Sequence, residues 1–291
     1  MSEKEPLKLS QITNIGDLGD VVGFEMEVEF REMPDGIENI NRGNIRVIED
    51  NSLRTGYEFI ARGPLLLENA YNAIDKICDY LSDKEVRLSP RTSTHFHLNM
   101  LDLNEIEILN TLLLSWYFEE FIKEGVQNHR KENNFCMTIR DSDEFVFTLV
   151  DHLKLGGSVA HLPASREYSK YSATNVATLM NIGTMEFRQF HGCIDAKIVK
   201  GWLKNLHSMK KFACSFESPL ALFEYLFTNT FTEIANKSFD DPEAFSSVSK
   251  FDDTNTNMLY ISKVVDVFDP EQNLTSTKSR KKKQAIPEWA R

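Results

Sequence analysis

The sequence predicts an α+β fold with a mostly antiparallel sheet. Three observations lead there. Several short segments alternate apolar and polar residues with period two, which marks strands that bury one face. Other segments repeat apolar residues at helical spacing behind capping residues. Strands near one another in sequence are separated by turns, with the helices set apart from them, rather than threaded through regular βαβ units.

The first strand runs from Val22 to Phe30, where Phe24, Met26, Val28 and Phe30 alternate with Glu25, Glu27 and Glu29. A second covers Asn44 to Ile48 and ends at the polar turn Glu49-Asp50-Asn51-Ser52, and a third spans Tyr57 to Ala61 and carries Glu58. Behind Pro64, the spacing of Leu66, Leu67, Ala70, Tyr71, Ile74, Ile77, Cys78 and Leu81 predicts a helix. Thr92 to Met100 alternates again, with His95, His97 and Asn99 on one face and Thr94, Phe96 and Leu98 on the other. Asn104 reads as the N-cap of a long helix ending near Gly125, and Ser142 as the cap of another reaching about Lys154. Gly156-Gly157-Ser158 opens a loop running past Pro163. Val176–Met180 and Thr184–Phe190 around Asn181-Ile182-Gly183 predict a β-hairpin. Asp195 caps a helix with Ile198, Val199, Trp202, Leu203, Leu206, Met209 and Phe212 at core spacing, and a further helix follows Pro219. Past Phe239 only Met258 to Phe268 has strong strand or helix character. We therefore divide the chain into a main domain, 1–238, and a C-terminal extension, 239–291, ending in a basic tail.

Composition narrows the function. The 291 residues are 41% hydrophobic and 26% charged, proportions of a globular chain with a core. No apolar run approaches the roughly 18 residues of a membrane span, and the N-terminus lacks the layout of a secretion signal. Cys78, Cys136, Cys193 and Cys214 are scattered and form no CxxC pair, so a reducing cytoplasm is the expected setting. The net charge is −11, and the last 22 residues carry six basic and two acidic side chains, so the body is more acidic still. That argues against nucleic acid as a partner, except for a contact by the tail run Ser279-Arg280-Lys281-Lys282-Lys283.

Alternate residues on a strand lie about 7 Å apart, so Glu25, Glu27 and Glu29 form a row of like charges that cations would relieve. Taken alone, the row could equally be a solvated outer face. The same holds for His95 with His97, two imidazoles on one strand face, and for Glu186 with Arg188, an acid and a base one pleat apart. If the three strands share a sheet, their polar faces merge into one surface of carboxylates, imidazoles and a guanidinium. Such a surface is costly unless it holds ions and an anionic ligand. The chain has no GxxxxGK[ST] and no strand-linked GxGxxG, so a bound nucleotide would be held through metal and arginine.

Gly23-Phe24-Glu25-Met26-Glu27, Asp50-Asn51-Ser52-Leu53 with Gly56-Tyr57-Glu58-Phe59, His95-Phe96-His97, and Lys170-Tyr171-Ser172-Ala173-Thr174-Asn175 before Gly183-Thr184-Met185-Glu186-Phe187-Arg188 resemble the amidoligase family. The resemblance runs from about Val21 to Leu206. This family is common in phage and bacterial genomes and is grouped with glutamine synthetase and glutamate–cysteine ligase as carboxylate–amine ligases.

The resemblance implies a curved, mostly antiparallel sheet with helices packed on one face, like the glutamine synthetase catalytic domain. It also implies an ATP- and Mg²⁺- (or Mn²⁺-) dependent amide-bond-forming ligase that works through an acyl phosphate. By position, Glu25, Glu27, Glu58, His95 and Glu186 correspond to metal ligands. His97, Asn99, Lys170 and Arg188 correspond to nucleotide-binding positions, and Glu186 and Arg188 to catalytic ones. Glu29 has no counterpart.

Lys170 stands where the family usually has arginine, and Asn99 where glutamine synthetases have serine. Arg130 with Asn134-Phe135-Cys136 resembles an arginine followed by an aromatic–cysteine pair, with no role assigned. The expected partners are a small-molecule or peptide carboxylate and an amine, with no membrane. Self-association is left open, and the compartment is the cytoplasm, that of the host if the chain is phage-encoded. The alternatives are a metal-dependent hydrolase using the His-x-His strand, with His152, His161 and His191 as further ligand candidates, and a non-catalytic relative that binds a nucleotide or partner.

Overall fold

A computed structural model describes residues 7–268, apart from 14, 17, 33, 132, 135, 163–170 and 252–256. Lys170 and the basic tail therefore lie outside the described residues. The fold is α+β, built on an open, curved sheet of eight strands: β1 Val21–Phe30, β2 Ile45–Glu49, β3 Gly56–Ala61, β4 Leu65–Leu66, β5 Val86–Arg87, β6 Thr94–Asn99, β7 Thr174–Asn175 and β8 Thr184–Phe187. Their order is β2-β3-β1-β6-β8-β7, every pairing is antiparallel, and β4 and β5 add to the ends of β1.

The alternation read in the sequence sorts the two faces. Phe24, Met26, Val28, Phe59, Phe96, Leu98, Met185 and Phe187 are all buried on one side. Against them lie the helices Leu67–Leu81 and Ala196–Ala213, and the long helix Glu105–Glu124 packs behind the second of these. Both long helices start where the sequence says. Asn104 accepts from the Ile106 and Glu107 backbone N–H groups while Glu107 reaches back to the Asn104 N–H, a reciprocal capping box. Asp195 accepts from the N–H groups of Lys197 and Ile198.

One prediction fails locally. Thr184–Phe187 is a strand, but its partner is Thr174–Asn175, and Leu179–Ile182 forms a single helical turn instead of the first arm of a hairpin. That turn closes on Gly183 in the left-handed region (φ 71°), where a side chain would also strike Leu101. Its geometry is a helix C-cap, which an apolar run with Asn-Ile-Gly does not distinguish from a hairpin turn. The segment that follows Ser218 forms two consecutive helices, Pro219–Thr228 and Phe231–Ser238, the second with its own capping box from Thr230 and Glu233.

The chain beyond residue 238 continues the same core. Phe239 and Phe245 pack on Phe118, Phe121 and Trp202, and Asn257 Nδ2 donates to the Trp116 carbonyl at 2.6 Å. Met258–Val265 is a helix burying Met258, Ile261, Val264 and Val265. No helix among the described residues is long and apolar enough to cross a membrane.

Candidate active site

Strand register decides which polar groups meet. Glu25 pairs with His95 across β1 and β6, His97 pairs with Glu186 across β6 and β8, and Glu27 pairs with Glu58 across β1 and β3. All six therefore stand on the face opposite the hydrophobic core. At the centre, His95 Nδ1 lies 3.2 Å from both Glu25 Oε2 and Glu186 Oε1. Glu25 Oε1 lies 3.2 Å from His97 Nε2. Glu186 is fixed from two further sides, by Asn175 Nδ2 at 2.7 Å and by the Arg188 guanidinium. Gly23 faces His97 across the pair, where a Cβ would come within 3.3 Å of the His97 Cβ and crowd it.

Ser93, one residue ahead of β6, sets the state of His95. Its backbone N–H and its hydroxyl both donate to Glu27 Oε2, at 2.9 and 2.6 Å. The hydroxyl has one proton, so His95 Nε2, 2.9 Å away, must be the donor to Ser93 Oγ. That hydrogen bond keeps the proton on Nε2 and aims Nδ1 at the two carboxylates. Nδ1 is thus the atom that donates to the two carboxylates while His95 is protonated, and the one that would offer its lone pair to an ion on losing that proton.

Charge is shared unequally along the row. Burial works against ionisation of Glu25, yet its hydrogen bonds to His95 and His97 hold its carboxyl far below the usual range. Glu186 is likewise buried but is pulled down to about 2, chiefly by the His95 hydrogen bond and charge and then by Arg188. Burial would make His95 less basic, but the bonds to Glu186 and Glu25 push it up to about 9. The repulsion expected of the glutamate row falls on Glu58, raised to about 8 by burial and then by the charges of Glu25 and Glu27. Glu29 leaves the row: it is buried, and its Oε1 accepts from the Arg54 N–H.

Ligand atoms of Glu25, His95 and Glu186 all lie within 4.8 Å of one another, a set of two carboxylates and one imidazole that suits a divalent cation. Glu27 and Glu58 form the adjoining carboxylate pair, where a second cation would offset the crowding on Glu58. Among the described residues, the hydrolase candidates His152, His161 and His191 join no such group; His152 Nε2 instead lies 3.1 Å from the Ser158 carbonyl.

Two cavities flank the cluster. One, of about 250 Å³, has mostly apolar walls from Leu18, Val21, Val22, Ile60 and Pro64, and meets the polar face at Glu25, His97 and Thr184. The Asn99 side chain borders it but is spent on the fold. Nδ2 donates to the Gly19 carbonyl at 2.6 Å and to Asp102, and Oδ1 accepts from the Leu101 N–H. The other cavity, of about 510 Å³, is ringed by charged and polar residues and meets the face at Glu27, His95 and Arg188, with Ser93, Arg91, Arg130 and Tyr171 around it. Cys136 sits beside Arg130, buried, with its thiol pushed up to about 11, which makes it a poor nucleophile.

The structure thus brings Glu25, His95, His97, Glu186 and Arg188 together, with Glu27 and Glu58 next to them. Sequence reasoning missed Ser93, Asn175, Thr184 and Arg91. Ser93 was readable, being two positions before His95 in the same alternation. Asn175 lay in a quoted motif without a role, and Arg91 is a loop residue with no periodic signal.

Fold and site together define an α+β protein whose antiparallel sheet carries a carboxylate–imidazole cluster on one face and its core on the other. Residues 23–208 match the family described as "putative amidoligase enzyme", which covers about two thirds of the chain and nearly every strand of the sheet, and the chain belongs to that family. The family description is that of an enzyme, an amide-bond-forming ligase. No curated protein matches the chain.

Proposed function

We propose that the protein is an ATP-dependent carboxylate–amine ligase that forms an amide through an acyl phosphate, as the glutamine synthetase-like ligases do. The observation that carries this reading is the division of the cluster between two cavities, one walled mainly by aliphatic side chains and one ringed by charged and polar residues. Glu25 and His97 open on the apolar one, His95 and Arg188 on the polar one. A nucleotide whose base occupies the apolar cavity and an acyl donor in the polar cavity would meet at the cluster.

Glu25, His95 and Glu186 would hold one Mg²⁺ or Mn²⁺, and Glu27 with Glu58 a second. Such an ion neutralises charge between the β- and γ-phosphates. The chain's own residues do the rest. Arg188, anchored on Glu186, takes up charge on the γ-phosphoryl group as it transfers. A carboxylate oxygen of the donor bonds to the γ-phosphorus and the bond to the bridging oxygen breaks, releasing ADP. The amine nitrogen then bonds to the acyl carbon, phosphate leaves with the donor's oxygen, and the nitrogen loses a proton. His97, held by Thr184 Oγ1 at 3.1 Å and by Glu25, borders the nucleotide side. We extend the same reading to Asn99 and Lys170 as residues near the nucleotide, Asn99 acting by shaping the cavity wall. ATP and four free thiols both fit a cytoplasmic setting, and a phage or bacterial source fits the family's occurrence.

The test is Mg²⁺-dependent ATP turnover by the full chain with pooled carboxylates and amines. ADP and phosphate forming only with particular carboxylates support the ligase. A folded protein that neither binds nor turns over ATP contradicts it.

A further inference from the structure

The apolar cavity has its hydrogen bonds already made. The polar side chains that line it, Glu25, His97, Asn99 and Thr184, are each engaged within the protein. Glu25 holds His95 and His97, and His97 Nδ1 lies 3.1 Å from Thr184 Oγ1. Asn99 spends its amide hydrogens on the Gly19 carbonyl and Asp102, and its oxygen on the Leu101 N–H. The backbone of the walls is engaged too. Val22 pairs with Leu98 on one side and Leu65 on the other, and Ile60 with Glu25 and Arg46. The Gly63 N–H donates to the Ala61 carbonyl at 2.8 Å, and Pro64 has no N–H to offer. Leu18 and Ile182, both half-exposed, bring apolar side chains to the rim.

A purine seated there would meet walls but, among the described residues, no side-chain donor left to read it. Adenine and guanine share nearly one shape and differ in the hydrogen-bonding groups along one edge. Telling them apart takes a donor for adenine N1 or guanine O6, or an acceptor for the adenine amino group or the guanine N1–H. A site that hydrogen-bonds such a group strongly rejects the analogue lacking it, whereas an apolar pocket discriminates weakly. With its donors spent, this cavity of about 250 Å³ grips by shape and van der Waals contact, and the purine edge turns to water at the rim. The triphosphate is the same in both nucleotides. We propose that the site takes purine nucleoside triphosphates without selecting the base, so that GTP binds in place of ATP. This rests on the ligase reading above and widens its nucleotide from ATP to both purines.

The test is calorimetric titration of the full chain in Mg²⁺ with non-hydrolysable analogues of ATP and GTP, and with inorganic tripolyphosphate, which has no base. We expect the two analogues to bind within about threefold of each other, each at least about tenfold more tightly than tripolyphosphate. Ile182→Ser, a change at the half-exposed rim, should weaken both analogues by the same factor and leave tripolyphosphate unchanged. A preference of about tenfold or more for either purine, or a loss in Ile182→Ser confined to one of them, overturns the proposal and leaves the ligase reading standing, since a nucleotide still binds. Tripolyphosphate binding as tightly as the analogues also overturns it, because the cavity then holds no base. If neither analogue binds to a folded protein, the ligase reading falls and the proposal falls with it.

Discussion

On β1 and β6 a single alternating stretch supplies two faces with opposite physics. Phe24, Met26, Phe96 and Leu98 are sealed into the core, while Glu25, Glu27, His95 and His97, one residue away in each case, crowd charge onto the other side. Buried carboxyls show the same contrast. Glu186, among His95, Arg188 and Asn175, is pulled down to about 2, whereas Glu119, on the Glu105–Glu124 helix, is pushed up to about 8. Burial opposes ionisation of both, and among the described residues Glu119 accepts a hydrogen bond only from the Ile139 N–H, with Oε1 unpartnered. A carboxylate stays charged in this protein where cationic groups converge on it, and the sheet's polar face is built to supply them. The core face holds the fold together; the polar face spends stability on holding charge.

Substitutions one residue apart should separate the two. The largest effect is expected from Phe96→Ala, which empties a fully buried ring that stacks on Phe190. It should cost about 3–5 kcal/mol in a denaturant titration. A loss below about 1 kcal/mol would mean that this face does not carry the core.

Arg188→Lys keeps the charge but not the planar fork that meets Glu186. ATP turnover should fall about a hundredfold, with nucleotide affinity changed by less than about threefold. Equal loss of both would assign Arg188 to binding alone.

Per pH unit, the smallest change belongs to Glu119. Its folded pKa of about 8 lies above its ordinary value of 4.5, so the native state holds the proton more tightly than the unfolded chain. The stability this gives is complete below about pH 4.5 and is lost as the pH rises through 8, at roughly 1 kcal/mol per pH unit. Glu119→Gln, which cannot ionise, should remove that slope in unfolding curves measured across the window. An unchanged slope would place the titration elsewhere.

Most of the sheet and its polar face were legible because period-two alternation is a direct consequence of the pleat, and Glu25, His95 and Glu186 could be aligned by motif. Helix starts at Asn104 and Asp195 were legible because a cap is a local hydrogen-bond arrangement. What the sequence hid depended on register or on loops. Val176–Met180 has a strand's composition, but the preceding Thr174–Asn175 takes the pairing position on β8. Arg91 and Arg130 reach one cavity from segments far apart in the chain, and no spacing rule connects them. Glu119 sits in a helix whose polarity pattern gives no sign that one of its carboxyls is enclosed.

In the proposed ligase, the cluster at Glu25, His95 and Glu186 is a divalent-metal site serving nucleotide chemistry. Its most direct test is Mn²⁺ titration of the full chain followed by electron paramagnetic resonance, with and without ATP, in wild type and Glu25→Gln. Saturable Mn²⁺ binding by wild type, strengthened by ATP, is expected, with at least about tenfold weaker binding by a folded Glu25→Gln protein. Wild type that binds no Mn²⁺, or a variant that binds it equally well, would rule out a metal site at Glu25.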